Sequence, residues 1–140
     1  MTEPPPKIVV SVYLRGQHLD PEVLSAALGI QPTSLQVAGR LRPGSERFIA
    51  NIGLWGVSSE SISSESISSK IADHVDDVLS HFKGVYDPLT GLPGVEEAYL
   101  DVLVAFENPE APDATVECFL SQEQIESIAR LGLGVQLSVM

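Results

Sequence analysis

Residues 8–29 read IVVSVYLRGQHLDPEVLSAALG, and the fold is decided in this stretch. Ile8–Leu14 is β-branched and apolar, the pattern of a buried strand. Gly16–His18 forms a turn. Asp20-Pro21-Glu22 opens a helix: Asp caps the free N–H groups, Pro fits the first turn, and Glu suits the positive end of the dipole. The helix is predicted to run to Leu28 and to stop at Gly29, a residue that accepts the left-handed cap conformation.

Working outward, Met1–Pro6 is a short proline-rich tail. Gln31–Ser45 holds Pro32, Gly39, Pro43 and Gly44 and is expected to be mostly loop. Arg47–Trp55 alternates, with Phe48, Ala50, Ile52 and Leu54 on one face, and is predicted as a second strand. Ser-Glu-Ser-Ile-Ser occurs at 59–63 and again at 64–68, too short a repeat for a solenoid. It reads as a polar lead-in to a helix carrying Ile67, Ile71, Val75, Val78, Leu79 and Phe82 at 3.6-residue spacing. That helix is expected to end near Lys83-Gly84, before a loop at Asp87–Gly94. Ala98–Phe106 is a strong strand, and Thr115–Phe119 is predicted as another. Ser121 caps a third helix, with Gln124 three residues later completing a capping box. The helix ends near Leu131-Gly132, and Val135–Val139 is the last strand. The expected fold class is therefore α+β: a single domain over 1–140, mainly antiparallel sheet with about three helices, in the order β-α-β-α-β-β-α-β.

The chain has 140 residues, a mean hydropathy of +0.15 and 44% hydrophobic residues. It can bury a core and is too apolar to be disordered. No apolar run approaches the ~20 residues that span a bilayer. Met1–Lys7 lacks the basic start and apolar core of a signal peptide, so the expected location is cytoplasmic. One cysteine excludes an internal disulfide framework and a cysteine-rich zinc site.

Eight basic residues against nineteen acidic ones give a net charge of −11. Residues 1–50 sum to +1 and residues 51–140 to −12. Nucleic acid and a phospholipid surface need clustered Lys and Arg, so neither is an expected partner. A cationic protein is, because opposite fields steer encounter. The carboxylates proposed to face such a partner are Asp73, Asp76 and Asp77 on the long helix, Glu96, Glu97 and Asp101 at the third strand, and Glu123 and Glu126 on the last helix. Arg130 is placed to pair with Glu126 at i,i+4.

Chemistry-bearing groups are sparse. His74, Asp77 and His81 fall three and four residues apart on one helical flank, with a solvated flank as the plainer reading. No metal site is expected. Alternation puts Cys118 with Val116 and Leu120, facing the core, where a thiol is no nucleophile. Gly39-Arg40-Leu41-Arg42-Pro43-Gly44 is the one basic cluster, but it lacks the spacing of a phosphate-binding loop. No Gly-x-Ser-x-Gly elbow is present. Asp76-Asp77 and Glu96-Glu97 are adjacent pairs that diverge in direction, so neither is a ready acid/base couple. No catalytic residue and no cofactor are expected. Trp55 and Tyr13 are read as anchors of the sheet.

Tyr13-Leu14-Arg15-Gly16, Leu19-Asp20-Pro21-Glu22, Leu28-Gly29-Ile30-Gln31-Pro32-Thr33, Trp55, Leu120-Ser121 and Leu131-Gly132-Leu133 together resemble a family of small bacterial proteins known as domain-of-unknown-function family number 4279. That resemblance spans most of the chain and implies no activity or catalytic residue. In size and charge the chain also looks like the immunity proteins encoded beside bacterial toxin domains. The expected function is thus an immunity protein that binds and neutralises a cognate, basic toxin domain through an acidic surface. The alternative is a regulatory domain that binds a small ligand between sheet and helices.

Overall fold

The computed structural model describes residues 7–40, 51–59, 71–106 and 118–139. Among them the chain forms five strands and three helices: β1 (Lys7–Gly16), α1 (Pro21–Leu28), β2 (Ser34–Gln36), β3 (Gly53–Ser58), α2 (Ile71–Ser80), β4 (Glu97–Ala105), α3 (Gln122–Arg130) and β5 (Gly134–Val139), with a 3-10 turn at Leu89–Gly91. The strands make one sheet in the order β2-β3-β1-β4-β5. Every pairing is antiparallel except β4 with β5. A parallel neighbour needs a crossover, and α3 supplies it. The expected α+β class, with a mainly antiparallel sheet and three helices, is what the structure shows.

β1 is largely apolar because it is the central strand, hydrogen-bonded to β3 on one side and β4 on the other. Its even-numbered side chains, Ile8, Val10, Val12 and Leu14, join Trp55 and Val57 of β3 and Ala98, Leu100, Val102 and Val104 of β4 in the core. The helices close this side with Leu24, Ile71, Val75, Val78 and Ile128. Trp55 is fully buried, packs edge-on against Phe82 at 6.3 Å, and donates from Nε1 to Ser25 Oγ at 3.1 Å. That bond ties α1 to the sheet.

The helix ends follow from local chemistry. Asp20 accepts from Glu22 N at 3.0 Å, and Gly29 stops α1 at φ 68° with its N–H on Ser25 O. Ser121 and Gln124 form the expected capping box. Gln124 also turns inward: Nε2 donates to Ala72 O at 2.9 Å and to Asp76 Oδ1 at 2.8 Å, joining α3 to α2.

Several expectations need correction. The second strand begins at Gly53, not at Arg47, and runs on to Ser58, with Trp55 and Val57 as its core side chains and Leu54 on the opposite face. Gly53 is pressed against the turn after β1: a Cβ there would stand 2.8 Å from Leu19 O and 2.9 Å from Gly16 O. Phe48 and Ala50 lie outside the described residues, as do both Ser-Glu repeats beyond Ser59, Ile67, Arg42 and positions 115–117. Within the segment read as loop, β2 pairs with β3 through Leu35 opposite Trp55. Cys118 and Phe119 are not in a strand, and Cys118 is exposed rather than facing the core. Between β4 and α3 the described residues 118–120 are irregular, so alternation does not fix which way Cys118 points. No helix among the described residues is long and apolar enough to cross a membrane.

Candidate functional site

Alternation along β1 and β4 sends their odd-numbered side chains to the sheet face that the helices do not cover. The register arranges these residues in rows. Arg15 sits opposite Glu97 and Leu54, Tyr13 opposite Tyr99 and Gly56, and Ser11 opposite Asp101 and Ser58. β5 extends two of the rows with Gly134 beside Tyr99 and Gln136 beside Asp101.

The rows are held from within. Tyr13 and Tyr99 meet at 5.6 Å between ring centroids, tilted by 43°. The Tyr13 ring lies directly over Gly56: a Cβ on that glycine would stand 2.5 Å from Tyr13 Cδ1. Only a residue without a side chain lets the ring lie flat there. Ser11 and Ser58 are buried and share a hydrogen bond of 2.8 Å between their hydroxyls. Arg15 and Glu97 form an ion pair at 3.6 Å. Burial pushes the Tyr99 hydroxyl above its ordinary pKa, with the Arg15 guanidinium pulling the other way. Burial likewise raises the Asp101 carboxyl. The face thus presents two ordered aromatic rings, one guanidinium and two carboxylates on a rigid sheet. Those groups suit recognition of a protein surface, where Tyr and Arg dominate the binding energy.

The eight carboxylates expected to form one surface fall into separate groups. Asp73, Asp76, Asp77, Glu123 and Glu126 belong to α2 and α3, on the helix side of the sheet. Glu97 and Asp101 are on the opposite face. Glu96 stands at the sheet end, where its carboxylate accepts from Gln17 N at 3.2 Å. Of the helical group, Asp76 and Glu123 line one cleft of about 370 Å³, together with Lys83 and Arg130. Arg130 does not turn to Glu126: it lies 5.9 Å from the centroid of the Tyr86 ring, and Glu126 accepts from Gln122 instead.

The helical flank of His74, Asp77 and His81 does not act as a unit. His74 is buried, not solvated, with Nδ1 3.1 Å from Ser59 Oγ, while His81 is exposed. Ser59 Oγ also accepts from Val10 N at 2.9 Å, so this Ser–His contact fastens α2 to the central strand. No group of three or more His, Cys, Asp or Glu among the described residues is placed to hold a metal. Arg40, the described cation of the basic loop, lines a larger cleft of about 740 Å³ between α1 and β2. Sequence reading missed the Tyr13–Tyr99 pair because strand register brings together positions that are 86 residues apart.

The fold and these surfaces define a small α+β domain in which, among the described residues, helices cover one sheet face and not the other. The family model described as Domain of unknown function (DUF4279) matches residues 6–140, and the chain belongs to that family. No curated protein and no solved structure matched the chain.

Proposed function

We propose that the chain is an immunity protein, which binds a basic toxin domain in the cytoplasm and blocks it without chemistry of its own. The observation that carries this reading is the helix-free sheet face built around Tyr13 and Tyr99, with Arg15, Glu97 and Asp101 in adjoining rows. Rigid aromatic rings provide contact area at little entropic cost. The two carboxylates add short-range complementarity to a cationic surface. The net charge of −11, with the helical carboxylates as its densest part, steers the partner from a distance.

The test separates the two acidic groups. Glu97→Gln with Asp101→Asn removes charge inside the contact and is expected to speed dissociation of the toxin domain. Asp73→Asn, Asp76→Asn and Asp77→Asn together remove steering charge; they are expected to slow association and flatten its salt dependence, with dissociation unchanged. Binding that neither set alters would overturn the proposal.

A further inference from the structure

The cleft of about 740 Å³ lies away from the sheet face described above, and the stretch quoted first lines its wall: Asp20, Glu22 and Ser25 on one side, Leu35, Val37 and Arg40 on the other. We infer that it takes an extended, basic peptide segment laid along the outer edge of β2. Three observations carry this. First, β2 is the terminal strand of the sheet, and among the described residues no strand pairs with its outer edge. Such an edge presents backbone N–H and C=O groups to an added strand. Second, Leu35 is opposite the fully buried Trp55 and so points to the helix side, yet it is 49% exposed. It stands as the apolar floor of an open cleft. Third, Asp20 and Glu22 put two carboxylates at the start of α1, on that cleft's wall.

A strand added about 4.8 Å from β2 sends alternate side chains into the cleft. One apolar side chain meets Leu35. A Lys or Arg two residues along reaches Glu22, which is exposed, and Asp20, one of whose oxygens is already engaged by the helix cap. Arg40, on the same cleft, disfavours a second cation and favours a polar or acidic neighbour. The recognised sequence therefore alternates an apolar and a basic residue on the cleft side and leaves its other face to solvent. This site and the helix-free sheet face share none of the residues named for either.

The experiment uses the full chain, immobilised, and a random twelve-residue peptide display library. The most enriched peptide is synthesised and its affinity measured by fluorescence anisotropy. Enrichment of alternating apolar and Lys/Arg residues is expected. Leu35→Ser is expected to weaken binding at least tenfold and Glu22→Gln about fivefold, while Tyr13→Ala leaves it unchanged. N-methylation of alternate backbone nitrogens of the peptide is expected to abolish binding, because it removes the donors that pair with β2. Failure to enrich any peptide overturns the inference. So does an enriched peptide whose affinity survives both N-methylation and Leu35→Ser, since a compact ligand or another surface would then be responsible.

Discussion

Gln124 is the polar joint between α2 and α3, and its removal has a calculable cost. The side chain is buried and makes three hydrogen bonds: from Nε2 to Ala72 O at 2.9 Å and to Asp76 Oδ1 at 2.8 Å, and to Oε1 from Ser121 N at 2.8 Å. Gln124→Ala deletes all three and leaves the bond from Gln124 N to Ser121 Oγ in place. Asp76 and Ser121 are exposed, so water replaces the lost partner there, whereas Ala72 is half-buried. At about 1 kcal/mol net per bond, the expected loss is about 2–3 kcal/mol. Urea unfolding followed by the fluorescence of the buried Trp55 is the assay. With a slope of about 2 kcal/mol/M, the midpoint falls by about 1–1.5 M. Gln122→Ala is the control: Gln122 is exposed and donates to the exposed Glu126, so its loss stays within about 0.5 kcal/mol. Gln124→Glu sharpens the test by setting an acceptor against Ala72 O and Asp76. It is expected to cost more than Gln124→Ala at neutral pH, with the gap narrowing in acid as the new carboxyl gains a proton. A Gln124→Ala variant as stable as the parent refutes the reasoning, because the joint would then bear no load.

Three further outcomes are expected. Gly16→Ala drives a Cβ into the carbonyl oxygen of Gly94 and should destabilise by about 2 kcal/mol or more, as overpacking against backbone does; Gly29→Ala meets open space and costs only the left-handed φ, about 1 kcal/mol, in the same urea titration. Asp101 has its pKa raised by burial, so its charged form is favoured less in the folded than in the unfolded chain. Its contribution is most favourable below the ordinary carboxylate pKa and declines as pH rises through the raised value, so Asp101→Asn should gain stability relative to the parent at pH 7 and lose that advantage near pH 3, read by thermal unfolding across pH. Gly56→Val displaces the Tyr13 ring and should weaken toxin binding at least tenfold, read by titration calorimetry.

Local chemistry made much of the fold legible. Asp20-Pro21 and Gly29 bound α1, Ser121 with Gln124 starts α3, and the apolar spacing of Ile71, Val75, Val78 and Phe82 marks the face of α2. These signals act over a single helical turn, and a sequence displays them directly. Strand order and register do not work this way. Nothing local to Val135–Val139 says that it pairs in parallel with β4. β2 is three residues long, too short for alternation to stand out from its loop. Nothing local to Gly53 shows that β3 starts there, pressed against the Gly16–Leu19 turn far away in sequence. The candidate site shows the same division. Acidity was visible at once, but only the pleat of β4 shows that Glu97 and Asp101 share a face with Tyr13 while α2 and α3 hold their carboxylates on the other. Periodicity places His74 on a solvated flank because it does not reveal Ser59 and Val10 across the interface.

The proposed role of the face around Tyr13 and Tyr99 is to bind and block a basic toxin domain. The most direct measurement begins with capture from host lysate at low and high salt, followed by expression of the captured basic protein alone and together with this chain. The captured protein is expected to arrest growth, co-expression of the parent chain to relieve the arrest, and a Tyr13→Ala, Tyr99→Ala variant shown to be folded not to relieve it. A captured protein that causes no arrest, or relief that is undiminished in that variant, would contradict that role.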